Sequence, residues 1–195
     1  HFKKYSAGEY LFRQGDVCSE LAFLMNGTLM AETVAMNHTY RFCEALPVAG
    51  VLELYSLFGI RPYYQASYRA MTEVGVLTIE KQYLAELLAN YMPCAFNFSN
   101  IICTRSQYLY QRIWSDMAGD ICTRFVQFLM QRSSRPTGLK GVHIKMEDLA
   151  TLLNDRRINV SRMLNALQDL GLVSLRRKEI EVPALEKLVA YHASR

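Results

Sequence analysis

Glu147-Asp148-Leu149-Ala150-Thr151-Leu152-Leu153-Asn154-Asp155-Arg156-Arg157-Ile158-Asn159-Val160-Ser161-Arg162-Met163-Leu164-Asn165-Ala166-Leu167-Gln168-Asp169-Leu170-Gly171 holds two helical patterns parted by a short polar stop. In the first, from Met146 to Leu153, the inward set is Leu149, Ala150, Leu152 and Leu153. Glu147 and Asp148 fall in its first turn, where acids suit the helix dipole. Asn154 and Asp155 stop this helix and are suited to cap the next. In the second helix Val160, Met163, Leu164, Leu167 and Leu170 form one stripe, and Gly171 ends it. Two helices joined by so short a turn predict a helix-turn-helix. Projection at about 100° per residue puts Ile158, Ser161, Arg162, Asn165 and Asp169 opposite the stripe, with Arg157 on the flank. That face offers two arginines able to pair with guanine, amide and hydroxyl groups, and one methyl-bearing side chain, as a recognition helix in a DNA major groove does.

Downstream, Leu172 to Leu175 and Ile180 to Val182 read as two strands around Arg176-Arg177-Lys178-Glu179. A basic hairpin there suits phosphate contacts beside the helix, so the whole unit is expected to be a winged helix-turn-helix. The charge distribution agrees. Residues 1–115 carry nine basic and nine acidic side chains, whereas residues 116–195 carry thirteen basic and nine acidic, so the net charge of +4 belongs to the C-terminal part. Six bases against the single acid Asp169 lie between Arg156 and Lys178, the pattern expected for phosphate contacts.

Upstream, short apolar runs from Tyr10 to Ile79 are punctuated by single glycines, which predicts an antiparallel β-sandwich or barrel. Leu21 to Met25, Asn26-Gly27 and Thr28 to Ala31 read as a tight hairpin, because Asn-Gly tolerates the positive φ angles such a turn needs. From Lys81 the pattern turns helical, with a short helix near Gln82–Asn90 and a long one opening at Pro93. Phe98, Ile102, Leu109 and Ile113 make a seam close to a 3.5-residue period, broken at Arg105 and Ser106. A helix of that length outreaches a small barrel, so packing against a twin helix in a homodimer is the preferred account. Asp116 to Gly119 reads as a break, followed by a helix over Asp120–Gln131.

At 195 residues, 51% apolar and 21% charged, the chain has the balance of a folded protein with one or two cores. The uncharged stretch Leu87–Thr104 contains Asn90, Pro93, Asn97 and Asn100, which argues against a membrane span. Five cysteines at 18, 43, 94, 103 and 122 show no zinc-ligand spacing and read as reduced thiols, hence a cytoplasmic location. The first residue is His1, so no targeting signal is legible. An enzyme is not expected. The histidines at 1, 38, 143 and 192 lie far apart, and no nucleophile-elbow, zinc-protease or phosphate-loop motif is present.

Together these features make an α+β chain: an N-terminal antiparallel β-sandwich or barrel over residues 1–92, a dimerisation helix over 93–116, and a C-terminal winged helix-turn-helix over 117–195. This order resembles the Crp/Fnr family of bacterial transcription regulators, over nearly the whole chain, and the resemblance implies an antiparallel β-barrel of the cupin-like jelly-roll kind over residues 1–92. Tyr5-Ser6-Ala7-Gly8-Glu9-Tyr10-Leu11-Phe12-Arg13-Gln14-Gly15-Asp16 is similar to the family's opening strand and turn. Leu21 to Gly27 is similar to its following hairpin, and Asp155 to Arg162 to its recognition helix. The resemblance implies double-stranded DNA with a near-palindromic operator as partner, a homodimer, and contact with RNA polymerase. Arg156, Arg157, Ile158, Asn159, Ser161, Arg162, Arg177 and Lys178 are the expected DNA-binding residues. Arg157 and Arg162 fall on the family's two arginines, whereas Ile158 and Asn159 replace its glutamate and threonine, so the usual half-site does not carry over unchanged.

The resemblance also implies an effector site in a cyclic nucleotide-binding-like barrel, where the family's Gly-Glu takes the ribose and its Arg-Ser or Arg-Thr the phosphate. The positions read as matching are Gly50-Val51 and Tyr64-Gln65. A buried phosphate without its arginine lacks the bidentate bonds that hold it, so weak or no binding of cyclic AMP is expected. Val51, Tyr64 and Gln65, with Arg105 and Ser106 from the long helix, are the candidate effector contacts, and no cofactor is predicted. Two alternatives stay open. One is a small-molecule-sensing member of the family, or a haem-sensing one with Met36, His38 or Cys43 as iron ligand; the other is a ligand-binding module without DNA binding. An iron-sulfur cluster is disfavoured by the scattered cysteines.

Overall fold

The computed structural model describes residues 1–46, 50–114 and 119–194. It falls into two compact units, His1–Ala31 with Leu46–Ser115, and Glu32–Ala45 with Asp116–Arg195. Residues 32–45 therefore group by contact with residues 116–195. Strand pairing across distant sequence causes it, and local patterns carry no trace of such pairing.

In the first unit β1 (Phe2–Tyr5), β8 (Val74–Glu80), β3 (Glu20–Asn26) and β6 (Gly50–Leu52) form an antiparallel sheet in that order. Opposed to it are β2 (Tyr10–Phe12), β7 (Ser67–Ala70) and the start of β4 (Leu29–Val34). Leu21 and Leu24 from β3, Leu29 from β4, Tyr68 and Ala70 from β7, and Val74 and Val76 from β8 share one buried core. The expected β-domain is present, but the Asn26-Gly27 hairpin is not. β3 and β4 lie in different sheets, so the turn is a corner between layers. Gly27 takes φ +82°, and a Cβ there would stand 2.3 Å from the Glu73 carbonyl oxygen. Asn26 Oδ1 accepts from the Gly75 amide at 2.6 Å instead of serving a hairpin.

α1 (Leu54–Leu57) follows β6, and α2 (Lys81–Asn90) and α3 (Met92–Ile113) close the unit. Phe98 and Ile102, the first half of the predicted seam, pack on the barrel core, with Phe98 edge-on to Phe58 at 5.7 Å. Leu109 and Ile113, the second half, are exposed.

The second unit contains β5 (Tyr40–Leu46), α4 (Ile121–Arg132), β9 (Lys140–Ile144), α5 (Met146–Leu152), α6 (Arg157–Asp169), β10 (Ser174–Arg176), β11 (Glu179–Val182) and α7 (Leu185–Ala193). Its sheet runs β10-β11-β9-β5. Phe125, Phe128 and Leu129 of α4, Leu149 of α5, and Val160, Leu164 and Leu167 of α6 fill its core. Asp120 caps α4 by accepting from the Thr123 amide at 2.7 Å. In the expected break, Asp116 to Ala118 lie outside the described residues, while Gly119 has φ +110°.

Candidate nucleic-acid interface and barrel cradle

Val160, Met163, Leu164 and Leu167 of α6 face the core, as the stripe predicts, whereas Leu170, its last member, is exposed where the helix ends. The helix ends in a Schellman turn: the Leu172 amide donates to Leu167 O at 2.9 Å and the Gly171 amide to Gln168 O at 2.8 Å, with Gly171 at φ +68°. The backbone between α5 and α6 turns through Asn154 at φ +48°. Asp155 does not cap α6 in the ordinary way, because Arg156 holds the N-cap position without a side-chain bond. The Asp155 carboxylate instead accepts from the Asn159 side-chain amide at 2.8 Å and the Arg156 backbone amide at 2.7 Å, and it pairs with Arg124 of α4. The Asn159 bond first, then the Arg156 amide, hold its carboxyl below the usual carboxylate range. Arg124 also donates to Gly119 O at 2.9 Å. The helix-turn-helix angle is thus pinned by an arginine that sequence reading passed over, for lack of any local pattern linking residues 124 and 155.

On the outward face Arg157, Ile158, Asn159, Arg162, Asn165 and Asp169 are exposed and Ser161 is half-buried. Ile158 is 57% exposed, which leaves its methyl groups open to contact from outside. Arg157 Nε lies 3.2 Å from Glu147 Oε1, but both side chains are mostly exposed, so this pair contributes at most about 1 kcal/mol and yields readily to a stronger partner. Asn159 is committed to Asp155 and so serves the turn.

Beyond α6, β10 and β11 form a hairpin whose turn is Arg177-Lys178, with Lys178 at φ +60°. The Ile144 amide donates to Lys178 O at 2.9 Å, fixing the turn to the end of β9. Arg176, Arg177 and Lys178 are exposed. Lys145, Arg176 and Lys178, with Glu147 and Glu179, line a cavity of ≈ 200 Å³ beside it. Its mixed charge makes the outward turn, rather than this hollow, the better phosphate contact.

A second site lies in the barrel, around Glu53. This residue is buried and left-handed, φ +40°, between β6 and α1. One carboxylate oxygen accepts from the Ala66 amide at 2.7 Å and the Tyr68 hydroxyl at 3.1 Å; the other accepts from the Gln65 amide at 2.7 Å and the Ser56 hydroxyl at 2.8 Å. Four donors converge on one buried anion. Burial first, then the Glu53 charge, pushes the Tyr55 hydroxyl up to about 12, and the same causes push Tyr68 up. Arg105 reaches this group from α3, its guanidinium 3.9 Å from the Tyr55 ring centre, and its buried Nε has no hydrogen-bond partner among the described residues.

Among the expected effector residues, Gln65 meets Glu53 through its backbone amide, and Arg105 is brought to the neighbouring Tyr55. Tyr64 is buried and stacks on Phe12 at 4.2 Å. Val51 is half-buried in β6 opposite Phe23, and Ser106 is exposed. The key carboxylate was missed, although Glu53 is the one acid between Glu44 and Glu73. Met36 and His38 are exposed, whereas Cys43 is buried. Among the described residues no group of three or more His, Cys, Asp or Glu is placed to hold a metal. No helix among them is long and apolar enough to cross a membrane.

Residues 2–91 match the family described as cyclic nucleotide-binding domain, and residues 123–191 match the Crp-like helix-turn-helix domain. No curated protein matches the chain in sequence. Among solved structures it is similar to the catabolite activator protein of Thermus thermophilus, at 19% identity and a TM-score of 0.50, covering 100% of this chain and 90% of that one. It is similar also to the c-di-GMP responsive global regulator CLP of Xanthomonas campestris, at 17% identity and a TM-score of 0.54, covering 94% and 93%. FixK2 of Bradyrhizobium japonicum is a third, at 13% identity and a TM-score of 0.53, covering 97% and 96%. At these identities the likeness is one of fold.

Proposed function

Since the chain belongs to the Crp/Fnr family and is a DNA-binding transcription regulator, we propose that it works as a homodimer, inserting two copies of α6 into successive major grooves of a near-palindromic operator. The observation that carries this reading is the outward face of α6, with Arg157, Ile158 and Arg162 exposed beside a basic wing turn. Dimerisation is supported by α3, which buries no residue fully in its own chain and leaves Ile101, Tyr108, Leu109, Tyr110 and Ile113 exposed, with Trp114 exposed just beyond its end. A patch of that kind marks a partner surface. Contact with RNA polymerase and a cytoplasmic place of action belong to the same proposal.

Selection of duplexes from a random pool by the purified protein, with no ligand added, tests the reading. Enrichment of a two-fold symmetric site is expected, and enrichment of none would reject it. On the selected site Arg157→Ala is expected to cost about 1–3 kcal/mol and to relax preference at one base step. An equal loss on every sequence would reassign the arginine to a phosphate. Lys178→Ala is expected to weaken all duplexes alike and to lower the slope of log affinity against log salt by about one unit; an unchanged slope would remove the wing turn from the interface.

For the barrel we propose an effector other than cyclic AMP. The Gln65 and Ala66 amides already serve the Glu53 carboxylate, so a phosphate meets occupied donors and a like charge at once. Val51, Tyr64, Arg105 and Ser106 stay as candidate contacts for that effector. Calorimetric titration with cyclic AMP is expected to give no heat above dilution, and micromolar affinity would overturn this assignment. A haem-sensing alternative predicts that the Soret band of added haemin shifts and sharpens, and a spectrum equal to that of free haemin would dismiss it.

A further inference from the structure

The DNA-binding unit is not finished by its own stretch of sequence. β5, from residues 40–46, pairs along β9 in the register Tyr40↔Ile144 to Glu44↔Lys140. Phe42 is part of the core that holds α4, α5 and α6. Tyr40 accepts from Arg132 Nε at 2.7 Å, and its ring lies 5.7 Å from Phe128. Glu44 accepts from Lys140 Nζ at 2.6 Å, from the Ser134 amide and hydroxyl at 2.8 Å each, and from the Arg135 amide at 3.0 Å. The Lys140 side chain is 0% exposed and also donates to Thr137 O at 2.8 Å. A lysine buried so completely needs its carboxylate, and that carboxylate comes from β5.

β9 stands between β5 and the wing strand β11, and its last residue, Ile144, holds the wing turn at Lys178. Removing β5 uncovers one edge of β9, takes Phe42 from the core and strands Lys140, all on the element that supports the wing. The ends of segment 32–45 continue directly into the first unit, at Ala31 and Leu46. We propose that β5 is a coupling strand: seated on β9 it makes the second unit competent for DNA, and withdrawn by a change in the first unit it releases the wing. This rests on the assignment of α6 and the wing to DNA.

The test uses the full chain. Glu44→Ala is expected to lower affinity for the selected duplex at least tenfold and to speed amide exchange in β9 and β11, while β1, β3 and β8 keep their protection. A Cβ at Gly141 would stand 3.4 Å from that of Cys43, close enough for a disulfide. Adding Gly141→Cys to Glu44→Ala and oxidising with diamide is expected to reseat β5, bringing affinity back to within threefold of the parent and restoring protection, both reversed by dithiothreitol. Gly141→Cys alone, oxidised, is expected to bind like the parent. Wild-type affinity in Glu44→Ala, or a locked chain that regains protection without regaining affinity, would overturn the coupling. Loss of β9 protection in Glu44→Ala, where the parent chain itself selects no duplex, would refute the DNA assignment and uphold β5 as the strand that completes the unit.

Discussion

Replacing Glu53 by alanine is expected to lower the unfolding temperature of the first unit by roughly 10–20 °C, a loss of about 3 kcal/mol. The carboxylate takes four hydrogen bonds, and among their donors the Ala66 amide, Ser56 hydroxyl and Tyr68 hydroxyl belong to buried residues. Each donor left without a partner inside the protein costs about 1–3 kcal/mol, partly offset because the variant no longer buries a charge. Alanine also gains nothing at φ +40°, where only glycine is unstrained. Formate or phosphate added to the alanine variant is expected to recover part of the loss, because the cradle then has room for an external anion. A drop of less than about 3 °C in calorimetry would show that the four bonds carry no weight.

Lys140 and Glu44 should show the opposite logic between single and double changes. Glu44→Ala strands a buried ammonium and is expected to destabilise the second unit by about 3–5 kcal/mol. Lys140→Met should cost less, because Glu44 keeps the Ser134 and Arg135 donors. The double variant Glu44→Leu with Lys140→Met is expected to recover most of the loss, since an apolar pair of similar volume replaces the ion pair and water serves the exposed Ser134 and Arg135 amides. Chemical denaturation of Glu44→Leu, Lys140→Met and their double measures the coupling energy, with Glu44→Ala as the reference for the stranded charge. A double variant as unstable as Glu44→Ala would mean that the damage comes from backbone distortion instead of the stranded charge.

What was legible in the sequence was whatever repeats at short range. Val160, Met163, Leu164 and Leu167 announce their helix because they recur in steps of three, one and three residues around one face, and Gly171 closes it with the backbone only glycine adopts freely. Asn26-Gly27 was legible as a turn but not as a kind of turn. The same left-handed glycine serves a hairpin or a corner between sheets, and the choice was made by Gly75 and Glu73, far along the chain. Long-range pairings left no mark at all. Nothing near residue 44 announces Lys140, nothing near 155 announces Arg124, and the donors that define Glu53 are backbone amides, which every residue but proline carries. Arg105 looked like a flaw in an apolar seam because its aromatic partner, Tyr55, sits on a different element.

The placement of β5 also sets a timetable for the growing chain. A ribosome makes residues 40–46 well before 140–144, and at about 5–20 residues per second the interval is roughly 5–20 s. For that time Phe42 has no core, Glu44 has no lysine, and β5 is an open edge of the kind that recruits neighbouring strands. The nascent chain thus holds one half of a finished interface while about 100 further residues are made, and that half must be kept from other chains until its intended mate emerges.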